Sequence, residues 1–152
     1  MSQQKVDIDI SKFDLTSDER EKLEEEILEH IRDRTEGGQG VRRRGRGFSL
    51  YSFPGYSKAY TKSLDFRIAG KSSGNVDLTL SGDMLAAMDV LSSNKNKIRV
   101  GFDAGSEEND RAEGNQLGSY GGRPKARRAR RFLGLTKSEL EQLVDRVKDG
   151  SE

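Results

Sequence analysis

Val6-Asp7-Ile8-Asp9-Ile10-Ser11-Lys12-Phe13-Asp14-Leu15-Thr16-Ser17-Asp18-Glu19 decides the fold class, because the hydrophobic period changes within it. Residues 6 to 10 alternate apolar and acidic side chains with period two, the pattern of a half-buried strand with a negative outer face. Further on, Thr16 stands three positions before Glu19, a capping box in which each side chain satisfies a backbone N–H that the first helical turn leaves unpaired. A helix is predicted over 17–35. Leu23, Ile27, Leu28 and Ile31 line one face, Glu24, Glu25, Glu26, Glu29 and Arg32 the other, and Gly37-Gly38 is a natural stop.

Outward from that unit the same logic recurs. Strand patterning predicts strands near 6–10, 64–68, 76–80, 88–92 and 97–102, the last two joined by the polar turn Ser92-Ser93-Asn94-Lys95-Asn96. Met84, Leu85 and Met88 suit a short helix opened by Ser81-Gly82. At the far end Thr136 and Glu139 form a second capping box, flanked by Leu135 and Leu140 as a hydrophobic staple. Leu140, Leu143, Val144 and Val147 then share a helical face, which predicts a C-terminal helix over 136–149. The expected class is α+β: a small antiparallel β-sheet packed by an N-terminal amphipathic helix, with long basic loops or arms and a C-terminal helix. One domain is expected over 1–152. Residues 37–63 and 103–130 read as extended loops, because their Gly-rich, charged stretches offer little apolar surface against the entropy of ordering them.

Composition narrows the chemistry. Of 152 residues 32% are hydrophobic and 35% charged, so the core is small for the length. With no cysteine there is no disulfide, thiol nucleophile or thiolate metal site. No apolar run approaches the roughly 20 residues of a membrane span, and Met1-Ser2-Gln3-Gln4-Lys5 lacks the apolar stretch of a secretory signal, so a soluble protein made in the cytoplasm is expected. The single histidine, His30, lies in the acidic helix, so no His pair or catalytic triad can be assembled from it. The glycine-rich stretches lack phosphate-loop spacing. The reading is of a protein that is not an enzyme, with no metal and no cofactor.

Charge is where the sequence is informative. The net charge of +1 hides segregation: residues 1–36 hold twelve acids against six bases, residues 37–75 eight bases against Asp65 alone. Asp7, Asp9, Glu24, Glu25 and Glu29 form an expected acidic docking face. Arg42, Arg43, Arg44 and Arg46, and the second cluster Arg123, Lys125, Arg127, Arg128, Arg130 and Arg131, form the expected basic contacts, facing either a neighbouring subunit or DNA. Arginines 42–46 precede Phe48, Tyr51, Phe53 and Tyr56, a mixture also found in single-strand nucleic-acid binders. A nucleic-acid-binding protein using loops 41–47 and 123–131 is therefore the alternative reading, and a regulatory or ribosome-associated binding protein is a third.

Three strings in order carry a resemblance: Leu78-Thr79-Leu80-Ser81-Gly82-Asp83-Met84-Leu85, then Ile98-Arg99-Val100-Gly101-Phe102, then Arg131-Phe132-Leu133-Gly134-Leu135-Thr136. Together they resemble the tailed-bacteriophage virion morphogenesis family, the tail-completion and neck proteins of the head-tail junction, over residues 41–145. Ser81 stands where that family more often has threonine. The resemblance implies structural roles for Leu80, Ser81, Gly82, Leu85, Gly101, Phe132, Leu133 and Gly134. It also implies a structural virion protein: a six-fold ring of copies of itself between portal or adaptor and the tail terminator, tube or sheath, with genomic DNA passing through the lumen and no membrane. The expected mechanism is docking of the acidic face, within residues 7–36, on the basic loop 41–47 or the arm 123–131 of a neighbour.

Overall fold

The computed structural model describes residues 3–53, 82–117 and 129–150. Strand β1 (Lys5–Asp9) leads to helix α1 (Ser17–Glu36), then to strands β2 (Gln39–Arg44) and β3 (Gly47–Ser52). The second described stretch holds helix α2 (Gly82–Ala87), strands β4 (Asp89–Ser93) and β5 (Lys97–Gly101) and helix α3 (Glu107–Leu117); the third holds helix α4 (Lys137–Gly150). The class is α+β, with two small antiparallel sheets, β1-β5-β4 and β2-β3.

Alternation in β1 and β5 sorts their side chains. Val6 opposes Val100 and Ile8 opposes Ile98, so the apolar rows coincide on the inner face. On the outer face Asp7 opposes Arg99, which donates from Nε at 2.6 Å and Nη2 at 3.1 Å, and Lys97 lies 3.7 Å from the same carboxylate. The hydrogen bond from Arg99 leads the effects that hold the Asp7 carboxyl below its ordinary range. Asn94 Oδ1 accepts from the N–H groups of Asn96 and Lys97 and shapes the β4–β5 turn.

Both capping boxes form. Thr16 Oγ1 accepts from Glu19 N and Glu19 Oε1 from Thr16 N, and Thr136 with Glu139 repeats the arrangement. At the other end of α1, Gly37 donates to the Asp33 carbonyl and Gly38 follows with φ +87°, a left-handed conformation that favours glycine. Leu23, Ile27 and Ile31 of α1 are fully buried in one cluster with Ile8, Ile98, Val100, Phe102, Met84, Phe132 and the Leu140, Leu143, Val144 and Val147 face of α4. Each such side chain contributes about 1.5–3 kcal/mol by leaving water.

The motif residues lie in or against this core. Leu85, Phe132 and Leu133 are buried, and the Phe102 and Phe132 rings meet edge to face at 6.1 Å. Gly82 opens α2. A Cβ on Gly101 would run into the Gln4 carbonyl and the Lys5 backbone, so only glycine lets β1 start that close to β5. Gly134 has φ +149° and faces Val41 and Phe48. Leu80 and Ser81 lie outside the described residues, as do the strands expected at 64–68 and 76–80.

Two expected loops are corrected. Residues 39–52 form a regular hairpin, held at its base by long-range hydrogen bonds that local composition does not encode. Residues 107–117 form α3, whose start is capped by Ser106 Oγ accepting from Asn109 N at 3.0 Å. Its buried side is thin in apolar groups, with Ala112 beside Asn109 and Asn115. Hydrogen bonding supplies the rest: Asn109 Oδ1 accepts from Gln4 N at 2.7 Å and the Asn115 carbonyl from Arg130 N at 2.6 Å. Among the described residues no helix is long and apolar enough to cross a membrane.

Candidate functional site

The β2–β3 hairpin brings the first arginine cluster into one rigid element. Gln39 to Arg44 pair with Ser52 to Gly47, leaving a two-residue turn, Gly45-Arg46, with Gly45 at φ +61° as a tight primed turn requires. Opposed residues share a face, so Val41, Arg43, Phe48 and Leu50 lie on one side, and Arg42, Arg44, Ser49 and Tyr51 on the other.

The inner half of the hairpin is anchored. Val41 is buried and donates to the Arg131 carbonyl at 2.8 Å, while Phe53 donates to the Gly38 carbonyl at 2.9 Å. The Tyr51 hydroxyl donates to the Ala129 carbonyl at 3.1 Å and accepts from Arg131 N at 2.7 Å. Gly40 admits this crossing, since a Cβ there would strike the Arg131 carbonyl and the Phe53 ring. Beyond Val41 every residue from Arg42 to Gly47 is exposed. Aromatic rings stiffen the exposed half: the Arg42 guanidinium lies 4.5 Å from the Tyr51 ring centre and that of Arg43 5.2 Å from the Phe48 ring centre.

Electrostatically the hairpin is unmatched. Among the described residues no carboxylate forms an ion pair with Arg42, Arg43, Arg44 or Arg46, whereas Arg34, Arg99, Arg111 and Arg146 all have one. The end of the second basic cluster joins it: Arg131 is exposed and its backbone is bonded to Val41 and Tyr51, with Arg130 beside it. Arg123, Lys125, Arg127 and Arg128 lie outside the described residues.

The acidic residues divide into two sets. Asp7 is matched within the sheet by Arg99 and Lys97, and Asp9 accepts from the N–H and hydroxyl of Ser11, which hold its carboxyl below the ordinary range. Glu25 and Glu29 are exposed on α1, with Glu24 half-buried beside them. They belong to a row of exposed acids, Asp18, Glu21, Glu25, Glu29, Asp33 and Glu36, on the side of α1 opposite Leu23, Ile27 and Ile31.

One cluster was not foreseen. Arg34 and Glu139 are buried, and Arg34 Nη1 donates to both Glu139 oxygens, at 2.8 and 3.0 Å. Arg34 Nη2 donates to the carbonyls of Phe132 at 2.7 Å and Gly134 at 3.0 Å, and His30 Nε2 meets the same carboxylate. Burial pushes the Glu139 carboxyl up, but His30, the Thr136 N–H and Arg34 outweigh it and lower the pKa from 4.5 to about 2. The capping box identified Glu139; nothing local links it to a residue 105 positions away. Its hydrogen bonds to the Phe132 and Gly134 carbonyls position that stretch of chain, and the exposed hairpin beside it is the candidate site. Among the described residues no group of three or more metal-binding side chains occurs.

Comparison with known proteins returns no match: no family model, no curated sequence and no solved structure is similar to this chain.

Proposed function

We propose that this chain is a structural subunit of the phage head-tail junction, a neck or tail-completion ring protein that joins the capsid connector to the tail through protein contacts. The observation that carries the reading is the arginine hairpin: anchored at its base, exposed beyond Val41, and without a carboxylate partner among the described residues. A pre-ordered cationic ribbon loses little conformational freedom on docking. The resemblance supplies the setting, and the motif residues Leu85, Phe132 and Leu133 are core, the last two next to the Arg131 carbonyl that accepts from Val41 at the ribbon's base.

The hairpin geometry also weighs against the single-strand nucleic-acid reading. Stacking of bases needs free aromatic faces. Here Arg42 lies over Tyr51, Phe53 meets the Tyr51 ring edge to face at 5.7 Å, and Phe48 is held between Arg43 and Gly134. Contact with duplex phosphates does not need those faces, and salt-sensitive binding of the pure protein to duplex DNA would favour the alternative.

The test is genetic and visual. A phage lacking this chain is expected to accumulate separate heads and tails in electron micrographs of lysates, and the chain supplied in trans to restore joined particles. Joined, infectious particles formed in its absence would overturn the proposal.

A further inference from the structure

We infer that the arginine hairpin of one copy docks on the exposed carboxylate row of α1 in the next copy, head to tail. The inference rests on the proposed assembly role and names the partner of the same site. Its first support is balance of charge. The hairpin arginines have no carboxylate partner among the described residues, and the remaining sequence, 54–81 and 118–128, holds eight bases against only Asp65 and Asp77. Among the described residues, no base forms an ion pair with Asp18, Glu21, Glu25, Glu29, Asp33 or Glu36 on the outer side of α1.

The second support is spacing. Asp18, Glu21, Glu25, Glu29, Asp33 and Glu36 fall three or four residues apart, and all are exposed. Four residues advance about 6 Å along a helix, and the two residues from Arg42 to Arg44 advance about 6.6 Å along a strand, so adjacent charges of ribbon and row meet in step. Lys22 is the exposed base along this side, while Arg32 is turned away to the carbonyls of Leu85 and Met88, at 2.9 and 2.7 Å. The third support is cost. Asp33 and Glu36 lie in the last turn of α1, where the helix dipole disfavours negative charge. An incoming guanidinium relieves that cost.

Donor and acceptor are different surfaces of one molecule, so the contact is heterologous. Repeated, it closes a ring or grows a filament. Glu25, Glu29, Asp33 and Glu36 are the four acids of the row nearest the C-terminal end of α1.

The cysteine-free chain makes a clean test. Full-length Arg46→Cys and Glu29→Cys proteins, mixed under mild oxidation at physiological salt, are expected to form a disulfide-linked dimer at least tenfold more than either alone. Adding Arg42→Glu, Arg43→Glu and Arg44→Glu to the first protein is expected to abolish the cross-link. Glu25→Lys, Asp33→Lys and Glu36→Lys in the second should restore it, a rescue that misfolding cannot imitate. A mixed yield no higher than the single-variant yields, or a reversed hairpin that loses duplex-DNA binding but keeps the cross-link, overturns the inference. Joined particles from a phage carrying the reversed hairpin would overturn this contact and leave the junction role standing. A faithful cross-link in a protein that never enters particles would do the opposite.

Discussion

Replacing Glu139 with glutamine tests the buried cluster most directly, because shape is kept while charge is removed. In the folded protein its carboxyl titrates at about 2 instead of 4.5, a difference of about 3 kcal/mol at 1.36 kcal/mol per unit. The lowered value means that the folded state favours the ionised form. That stability is therefore complete above the unfolded value of 4.5 and is lost as pH falls towards 2. Urea denaturation of wild type and Glu139→Gln across pH 7 to 2.5 reads the difference. We expect the wild type to be more stable by about 3 kcal/mol at pH 7, with the gap closing between pH 4.5 and 2.5. Arg34→Met should cost about 3–5 kcal/mol, because it takes the paired cation from a buried carboxylate and the donor from two carbonyls. Combining it with Glu139→Leu should cost less than the sum of the two single changes, since an apolar pair leaves no buried charge. A gap between wild type and Glu139→Gln that stays constant down to pH 2.5 would refute the reasoning.

Four further changes probe other joints. Gly134→Ala forces a Cβ against Val41 and Phe48 at φ +149° and should cost about 2–4 kcal/mol in denaturant titration. Tyr51→Phe removes the hydroxyl that bridges Ala129 and Arg131; a loss of about 1–2 kcal/mol is expected, with faster hydrogen exchange at the Val41 amide. Thr16→Ala should cost about 1 kcal/mol and Thr136→Ala more, because the second box is buried and helps to place Glu139; equal losses would contradict that account.

The two capping boxes share the Thr-x-x-Glu pattern in the sequence and differ in their surroundings in the fold. Thr16 is exposed and Glu19 half-buried, whereas Glu139 is buried and is also the acceptor for Arg34 and His30. Local chemistry therefore located helices α1, α2 and α4 and three of the strands, β1, β4 and β5, where alternation or capping is written within a few residues. It missed α3 because the burial there is of Asn109 and Asn115, polar side chains that bond to Gln4 N and to the Met84 sulfur, 105 and 31 positions away. The hairpin was missed for a related reason. Arg42-Arg43-Arg44 carries no apolar alternation, and only Gly45-Arg46 between Arg44 and Gly47 hinted at a primed turn. The candidate site residues were legible as charge; that they form a ribbon was not.

That ribbon's position follows from a chain of contacts that begins in the core. Glu139 sits at the start of α4 and holds Arg34 of α1; Arg34 holds the carbonyls of Phe132 and Gly134; the adjoining Arg131 carbonyl accepts from Val41 at the base of β2. Gly134 then leaves room for Val41 and Phe48 to pack over the same segment. A buried ion pair contributes little net stability against an apolar replacement, because desolvating both charges offsets most of their attraction. Its value here is geometric: an apolar pair would fill the space but would supply no donor to the two carbonyls, leaving the strip that the hairpin rests on held by Gln116 Oε1, which accepts from Phe132 N and Leu133 N, and by burial of the two side chains. The cluster and the arginine ribbon are thus one device, with the charge placed inside setting the direction of the charge presented outside.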